Sequence, residues 1–265
     1  VIDRATGMEI EGAIPRVIRT PDPRVPGSAT YVWTCEDLLF YGYAYWRITE
    51  LFLDSQRVRS VERIIPSRVT IQTNSFASEI EYYMVDGSPV PNYGLGSLVV
   101  FNGNDEGLLN RAGRTIRTGA ELERAAMNYA REPIPSMVLK SNGSALPSDR
   151  IAKLLEQWGI ARRSRTTAFL NSDINLEKVG FSPDELGLNT AREHIATEIS
   201  RACGIPAYFT DSPSGSSMTY SNAVTARQTL LDFSLIPICD AISQRLSMPD
   251  FTPSSQVIRH DFDVY

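Results

Sequence analysis

The hydrophobic pattern of this 265-residue chain changes once, after Gly107, and that change constrains the fold most. Before it, the segments 43–53, 59–65, 68–72, 79–85 and 98–101 are rich in β-branched and aromatic residues, as strands are. After it, Ile116, Ala120, Leu122, Ala126, Met127 and Ala130 open a region where small and apolar residues recur at helical spacing. Strands gathered in one part and helices in another predict an α+β chain.

Residues 1–28 contain Ile14-Pro15, Thr20-Pro21-Asp22-Pro23 and Val25-Pro26-Gly27 and read as an irregular lead-in, because proline and glycine interrupt both regular structures. Tyr31, Val32, Cys35, Leu38 and Leu39 mark a helix over 29–39, which Gly42 ends. Asp86-Gly87 signals a hairpin between the strands 79–85 and 98–101. A helix near 112–132 stops at Pro133 and Pro135. There follow a strand at 136–140, an Asn142-Gly143 turn, a helix over 147–158 and two short strands at 166–170 and 175–179. Ser182, Pro183 and Glu185 form a capping box for a helix reaching Cys203, closed by Gly204-Ile205-Pro206. Beyond a polar loop, 219–246 reads as one long helix kinked by Pro237, and 257–264 alternates like an edge strand.

No catalytic constellation emerges. His194 and His260 are the two histidines, and neither has a partner at metal-ligand spacing; His194 reads as a surface residue of a helix. A phosphate-binding loop ending in Lys-Ser or Lys-Thr is missing. Tyr93-Gly94-Leu95-Gly96-Ser97 precedes a strand rather than a helix, so it reads as a plain turn, and Ser214-Gly215-Ser216 lacks a nucleophile-elbow context. The adjacent carboxylates Asp184 and Glu185, or Asp105 and Glu106, point apart as neighbours on a helix do. The expectation is therefore a non-enzyme with no catalytic residue, cofactor or metal. Arg162, Arg163 and Arg165 form the one local positive cluster. A solvated helix end is its plainer reading, and contact with phosphates or an acidic partner the functional one.

Composition narrows the classes further. Lys and Arg number 26 and Asp and Glu 31, a net charge of −5, opposite in sign to that of a nucleic-acid coat. Cys35, Cys203 and Cys239 are too few and too scattered for a disulfide framework or a zinc knuckle and read as buried reduced thiols. No apolar run approaches the ~20 residues of a membrane span. No signal peptide is recognisable, and a start at Val1 rather than Met reads as a fragment of a longer protein.

Several segments gain meaning together. Leu39-Phe40-Tyr41-Gly42-Tyr43-Ala44-Tyr45 follows the first long helix, Pro66-Ser67-Arg68-Val69 comes later, and Pro135-Ser136-Met137-Val138-Leu139 opens the strand after the change of pattern. Ser182-Pro183-Asp184 leads to Glu198-Ile199-Ser200-Arg201-Ala202-Cys203-Gly204-Ile205-Pro206, and Thr219-Tyr220-Ser221-Asn222 opens a helix with an internal Ile236-Pro237. In order and spacing, over roughly residues 30–265, the chain resembles the portal proteins of tailed bacteriophages, the ring-shaped head-tail connectors. It departs from them where Gly107-Leu108-Leu109-Asn110-Arg111 replaces a Gly-Leu-Ser-Pro-Leu helix opening, which blurs the boundaries near 108–116. A C-terminal crown region also has no counterpart.

The resemblance implies a strand-rich wing (1–111), a stem helix (112–132), a small inserted α/β clip (133–181) and an antiparallel second stem helix (182–206). A tunnel loop (207–218) and a long kinked helix with a C-terminal strand (219–265) complete it. It further implies a homo-oligomeric ring of about twelve subunits at one capsid vertex of the virion, assembled in the bacterial host cytoplasm. Double-stranded DNA would pass through it during packaging and ejection, contacted without sequence preference. Asp211, Ser212, Pro213, Ser214, Gly215, Ser216, Ser217 and Met218 would face the channel. Arg162, Arg163 and Arg165 would dock the terminase, which carries the motor's ATPase, or a head-tail adaptor. Capsid and scaffold would be further partners, and no membrane is involved. Readings from other classes are a DNA-binding or DNA-processing module with an unrecognised site, which would act as a monomer, and an adaptor-type connector, whose chains are commonly shorter.

Overall fold

The computed structural model describes residues 1–10, 12, 14–76, 78–131, 137–141, 147–163, 174–178, 187–210 and 220–262. The chain divides into two compact units, Val1–Thr118 with Glu193–Tyr265, and Gly119–Arg192. The first begins with β1 (Ile2–Asp3), α1 (Arg16–Arg19) and α2 (Gly27–Tyr41). Strands β2 (Tyr43–Leu51), β3 (Val58–Ile64), β4 (Val69–Thr73), β5 (Ile80–Val85), β6 (Ser88–Pro89) and β7 (Leu98–Asn102) follow, then α3 (Leu108–Arg111) and the start of α4 (Gly113–Arg131). The second unit continues α4 and adds β8 (Met137–Ser141), α5 (Ser148–Arg163), β9 (Ile174–Lys178) and the start of α6 (Leu188–Cys203). The rest of α6 belongs to the first unit, which closes with α7 (Tyr220–Leu230), a π-helical segment (Leu231–Leu235), α8 (Ile236–Leu246) and β10 (Gln256–Val257).

Two antiparallel three-stranded sheets, β3-β2-β7 and β4-β5-β6, organise the first unit. Alternation along β2 serves both. Ala44, Trp46 and Ile48 join Leu38, Val99, Phe101, Ile242, Leu246 and Phe251 in the main core. Tyr45 packs instead with Ile64 and Val85, beside Val69 and Tyr83 of the second sheet. Trp46 is fully buried, 4.6 Å from the Phe101 ring, and its indole N–H donates to Thr34 Oγ1 at 2.9 Å. That bond satisfies the one polar group the residue takes into the core.

The segment 1–28 is more than a lead-in. Val17 of α1 is fully buried in the main core, and the Pro21 carbonyl accepts the Val61 N–H of β3 at 2.9 Å. The prolines interrupt regular structure as expected, but Val17 and Ile18 pack on the core and Arg24 pairs with Glu62 of β3, which folds the segment over a sheet edge. The Asp86-Gly87 hairpin also differs from expectation. Both residues have positive φ, 50° and 77°, as a tight primed turn demands, yet the returning strand is the two-residue β6. β7 pairs with β2 instead.

α2 ends at Gly42, φ 77°, where the chain crosses the 105–107 turn. A Cβ on Gly42 would lie 2.5 Å from the Asp105 carbonyl oxygen, and one on Gly107 would lie 2.4 Å from backbone atoms of Tyr41 and Gly42. Only two facing glycines permit this crossing. Where the family's helix opening is replaced, the short α3 precedes α4.

α6 starts at Leu188 rather than Ser182, because Gly187 at φ 61° cannot continue a right-handed helix. Ser182, Pro183 and Glu185 lie outside the described residues, as does the strand expected at 166–170. Residues 220–246 form one continuous helical run, as expected, but Pro237 is met by the π-helical segment before it. Proline lacks an N–H and crowds the carbonyl four residues back, and a widened turn relieves both problems. Of the strand expected at 257–264, the described residues up to 262 give only Val257, in the two-residue β10 paired with β1. Beyond it the Ile258 N–H donates to Ser247 Oγ at 2.9 Å, so Ile258 packs on α8 instead of extending a ladder.

In the second unit β8 and β9 pair antiparallel, Met137 opposite Lys178. α5 runs five residues past Trp158, since an internal Gly159 costs a helix only about 1 kcal/mol. Arg192 of α6 forms a bidentate pair with Glu123 of α4, both contacts 2.6 Å.

Candidate functional site

The loop expected to face a channel, Asp211, Ser212, Pro213, Ser214, Gly215, Ser216, Ser217 and Met218, lies outside the described residues. The frame that leads into and away from it is described in detail. α6 closes with paired reverse bonds: the Gly204 N–H donates to the Arg201 carbonyl at 3.1 Å and the Ile205 N–H to the Ser200 carbonyl at 3.0 Å. Gly204, φ 69°, supplies the left-handed residue this ending needs. A short 3-10 turn, Ala207–Thr210, follows, and Thr210 Oγ1 lies 2.6 Å from the buried Ser200 Oγ.

The helical run after the loop is tied to the same place. Ser234, within the π-helical segment, donates its hydroxyl to the Gly204 carbonyl. Asn104 Nδ2 donates to the Pro237 carbonyl at 3.1 Å, and Arg111 bridges Asp105 Oδ2 (2.7 Å) and the Ala202 carbonyl. A cavity of about 130 Å³ lies among Leu38, Asn104, Asp105, Arg111, Gly204 and Ser234. The end of α6 and the helical run after the loop are thus tied together at Gly204, the latter through Ser234, one π-helical segment beyond α7. None of these anchors was singled out from sequence: partners such as Asn104 and Pro237 lie too far apart in the chain to form a motif. The positive φ requirement at Gly204 was visible in Gly204-Ile205-Pro206.

Arg162 and Arg163 are the last two residues of α5; Arg165 lies outside the described residues. Asp105 and Glu106 do not share a site. Asp105 accepts from the Gly107 N–H at 2.7 Å and pairs with Arg111, while the Glu106 carbonyl accepts from Asn110. His194 is exposed, as expected. His260 is exposed, with Nδ1 against Ser243 Oγ and its ring stacked on Phe262, and partial desolvation by its neighbours holds its pKa below the ordinary value. The three cysteines are free; burial pushes the Cys35 thiol up to about 11 and raises Cys203 and Cys239 as well, which suppresses the nucleophilic thiolate. Among the described residues, no three His, Cys, Asp or Glu side chains converge on a point that could hold a metal ion. Nor is any described helix long and apolar enough to cross a membrane.

A family profile described as phage portal protein matches residues 4–265, nearly the whole chain. The chain belongs to the phage portal protein family. Among solved structures, a portal protein of the HK97 family from Corynebacterium diphtheriae superposes with a TM-score of 0.69 at 24% identity, covering 91% of this chain and 80% of that one. A chain from the neck of a native gene transfer agent particle, computed with C12 symmetry, gives 0.64 at 15% identity, covering 93% and 74%. One from the virion of that kind of particle gives 0.61 at 15% identity, covering 88% and 69%. At these identities the likeness is one of fold. No curated protein sequence matches significantly. The mixed helices and antiparallel strands are those of the α+β portal fold, and the protein is a portal subunit.

Proposed function

We propose that this portal subunit assembles with copies of itself into a closed ring at one vertex of a virion, and that the ring is a passive conduit for double-stranded DNA. The tie between the helical elements on either side of 211–218 carries this reading. A polar Ser/Gly/Pro segment between two helical elements that are tied together at Gly204 can follow a moving duplex. A net charge of −5 suits sliding, since a dense basic lining would hold phosphates. In this reading 1–111 is the wing, 112–132 and 182–206 are stem helices, 133–181 is the clip and 207–218 the tunnel loop. The subunit contributes no chemistry of its own, and packaging energy comes from a terminase. Arg162, Arg163 and Arg165, at and beyond the end of α5, dock that motor or a head-tail adaptor.

Native mass spectrometry with negative-stain microscopy tests the ring. A closed ring of about twelve copies with a central hole is expected, and a monomer under all assembly conditions overturns it. Deleting 213–217 should leave rings intact and impair DNA packaging. Replacing Arg162, Arg163 and Arg165 by Ala should abolish binding to the motor or adaptor with ring mass unchanged; undiminished binding and packaging would remove the docking role.

A further inference from the structure

The two sheets of the first unit have four outer edges, and three are blunted within the chain by a backbone bond, a side-chain cap or a proline. On β3 the Val58 N–H donates to the Asp250 carbonyl at 2.8 Å and the Val61 N–H to the Pro21 carbonyl at 2.9 Å. On β7, Arg245 Nε caps the Val100 carbonyl at 3.2 Å, while the Val100 N–H and the outward Leu98 groups have no backbone partner among the described residues. On β6 the Val90 N–H turns inward to the Tyr83 carbonyl, so Pro89 takes the outward position, and proline has no N–H to offer.

The edge of β4 is different. The Asp86 N–H donates to the Arg68 carbonyl, which fixes the ladder's alternation and turns Val69 and Ile71 outward. The Val69 N–H is taken by the Pro66 carbonyl. The Val69 carbonyl and both backbone groups of Ile71 have no partner among the described residues. The strand Val-Thr-Ile-Gln-Thr contains no charge and no proline, and Ile71 and Phe76 are exposed beside it. Natural edges are normally blunted by charge, proline or cover, and an uncharged open edge is a template for pairing.

We propose that the β4 edge is closed by a second copy of this chain, through the segment 90–95 beyond the opposite margin of the same sheet. This rests on the ring reading. Neighbours in a closed ring meet through two different patches, one from each side of the subunit. The sheet supplies such a pair. One margin offers backbone groups with Ile71 and Phe76, and the other offers Tyr93, 90% exposed, and Leu95, 62% exposed. The contact is a short backbone bridge of about two hydrogen bonds under an apolar cover.

The test separates this contact from the ring itself. In Ile71→Pro the lost N–H is one that bonds nothing within the subunit, so the ladder survives while the edge is blocked. Ring formation should fall about tenfold at fixed subunit concentration, and Tyr93→Ser should weaken it in the same direction. Amide hydrogen exchange on unaltered protein is the second measurement, independent of whether the proline variant folds. Slower exchange at Ile71 in rings than in monomers is expected. Rings in which Ile71 exchanges as fast as in the monomer overturn the contact and leave the ring reading standing. Failure of unaltered protein to form rings overturns both.

Discussion

The two sheets of the first unit share a neighbour in β2 and are built on opposite terms. β3-β2-β7 is enclosed: Trp46 and Phe101 sit fully buried beside α2 and α8, and its edges are covered by 21–22, 250 and Arg245. β4-β5-β6 contributes Val85 to a small cluster with Tyr45 and Ile64 and leaves Ile71 and Ile80 exposed. Their ion pairs differ in the same way. Arg63 grips Asp37 bidentately with the carboxylate buried, whereas Arg68 and Asp86 meet at the surface. The first sheet lines the main core, and the second leaves more of its apolar side chains exposed.

Core substitutions should expose this difference most strongly. Trp46→Ala should cost about 3–5 kcal/mol, enough to abolish cooperative unfolding in a marginal domain, while Val85→Ala should cost about 1.5 kcal/mol. Urea titration followed by tryptophan fluorescence or circular dichroism measures both, and equal losses would refute the division. Next come the ion pairs. Arg63→Met leaves a buried carboxylate uncompensated and should cost about 3 kcal/mol, whereas Arg68→Met should scarcely move the urea midpoint, because exposed pairs are solvent-screened.

The smallest effect is a difference of sign with pH. Hydrogen bonds from Arg68 hold Asp86 below its ordinary 3.8. Its contribution is therefore present above that value and is lost as pH falls through the lower folded value. Burial pushes Asp37 above 3.8 against the opposing pull of Arg63. Its contribution is present below 3.8 and declines as pH rises from there through the higher folded value. Asp86→Asn should flatten the rise of stability between about pH 2 and 5, and Asp37→Asn should steepen it. The same slope in both variants would contradict the contrast.

Much of this architecture is legible in the residues. β-branched and aromatic runs locate β2, β3, β4, β5 and β7 within two residues, and Gly42 marks the end of α2 because a left-handed turn there needs glycine. What escapes a sequence reading has physical causes. β6 is two residues long and half proline, too short for any periodicity. α1 is seated by the adjacent Val17 and Ile18, and two neighbouring apolar residues make no periodic pattern. The alternation after Val257 is real, but helix α8 meets it instead of a strand. At the candidate site, composition marks Arg162 and Arg163 as a helix-end cluster and 211–218 as a polar loop. The clasp of Asn104, Arg111 and Ser234 joins groups about 30 to 130 positions apart and exists only once the chain has folded.

The π-helical segment at Leu231–Leu235 has a consequence for how the long helix could change over time. One extra residue in a helical turn shifts the angular phase of everything before it by about 100°. α8, seated against the core through Ile242 and Leu246, is therefore set at a different phase from the stretch leading up from the loop. Removing one residue from 231–235 would convert the wide turn to an ordinary one and swing Tyr220–Leu230 to a new bearing while α8 stayed seated. The segment acts as a vernier: the direction in which the loop is presented can be reset by a single insertion or deletion, with the core left alone.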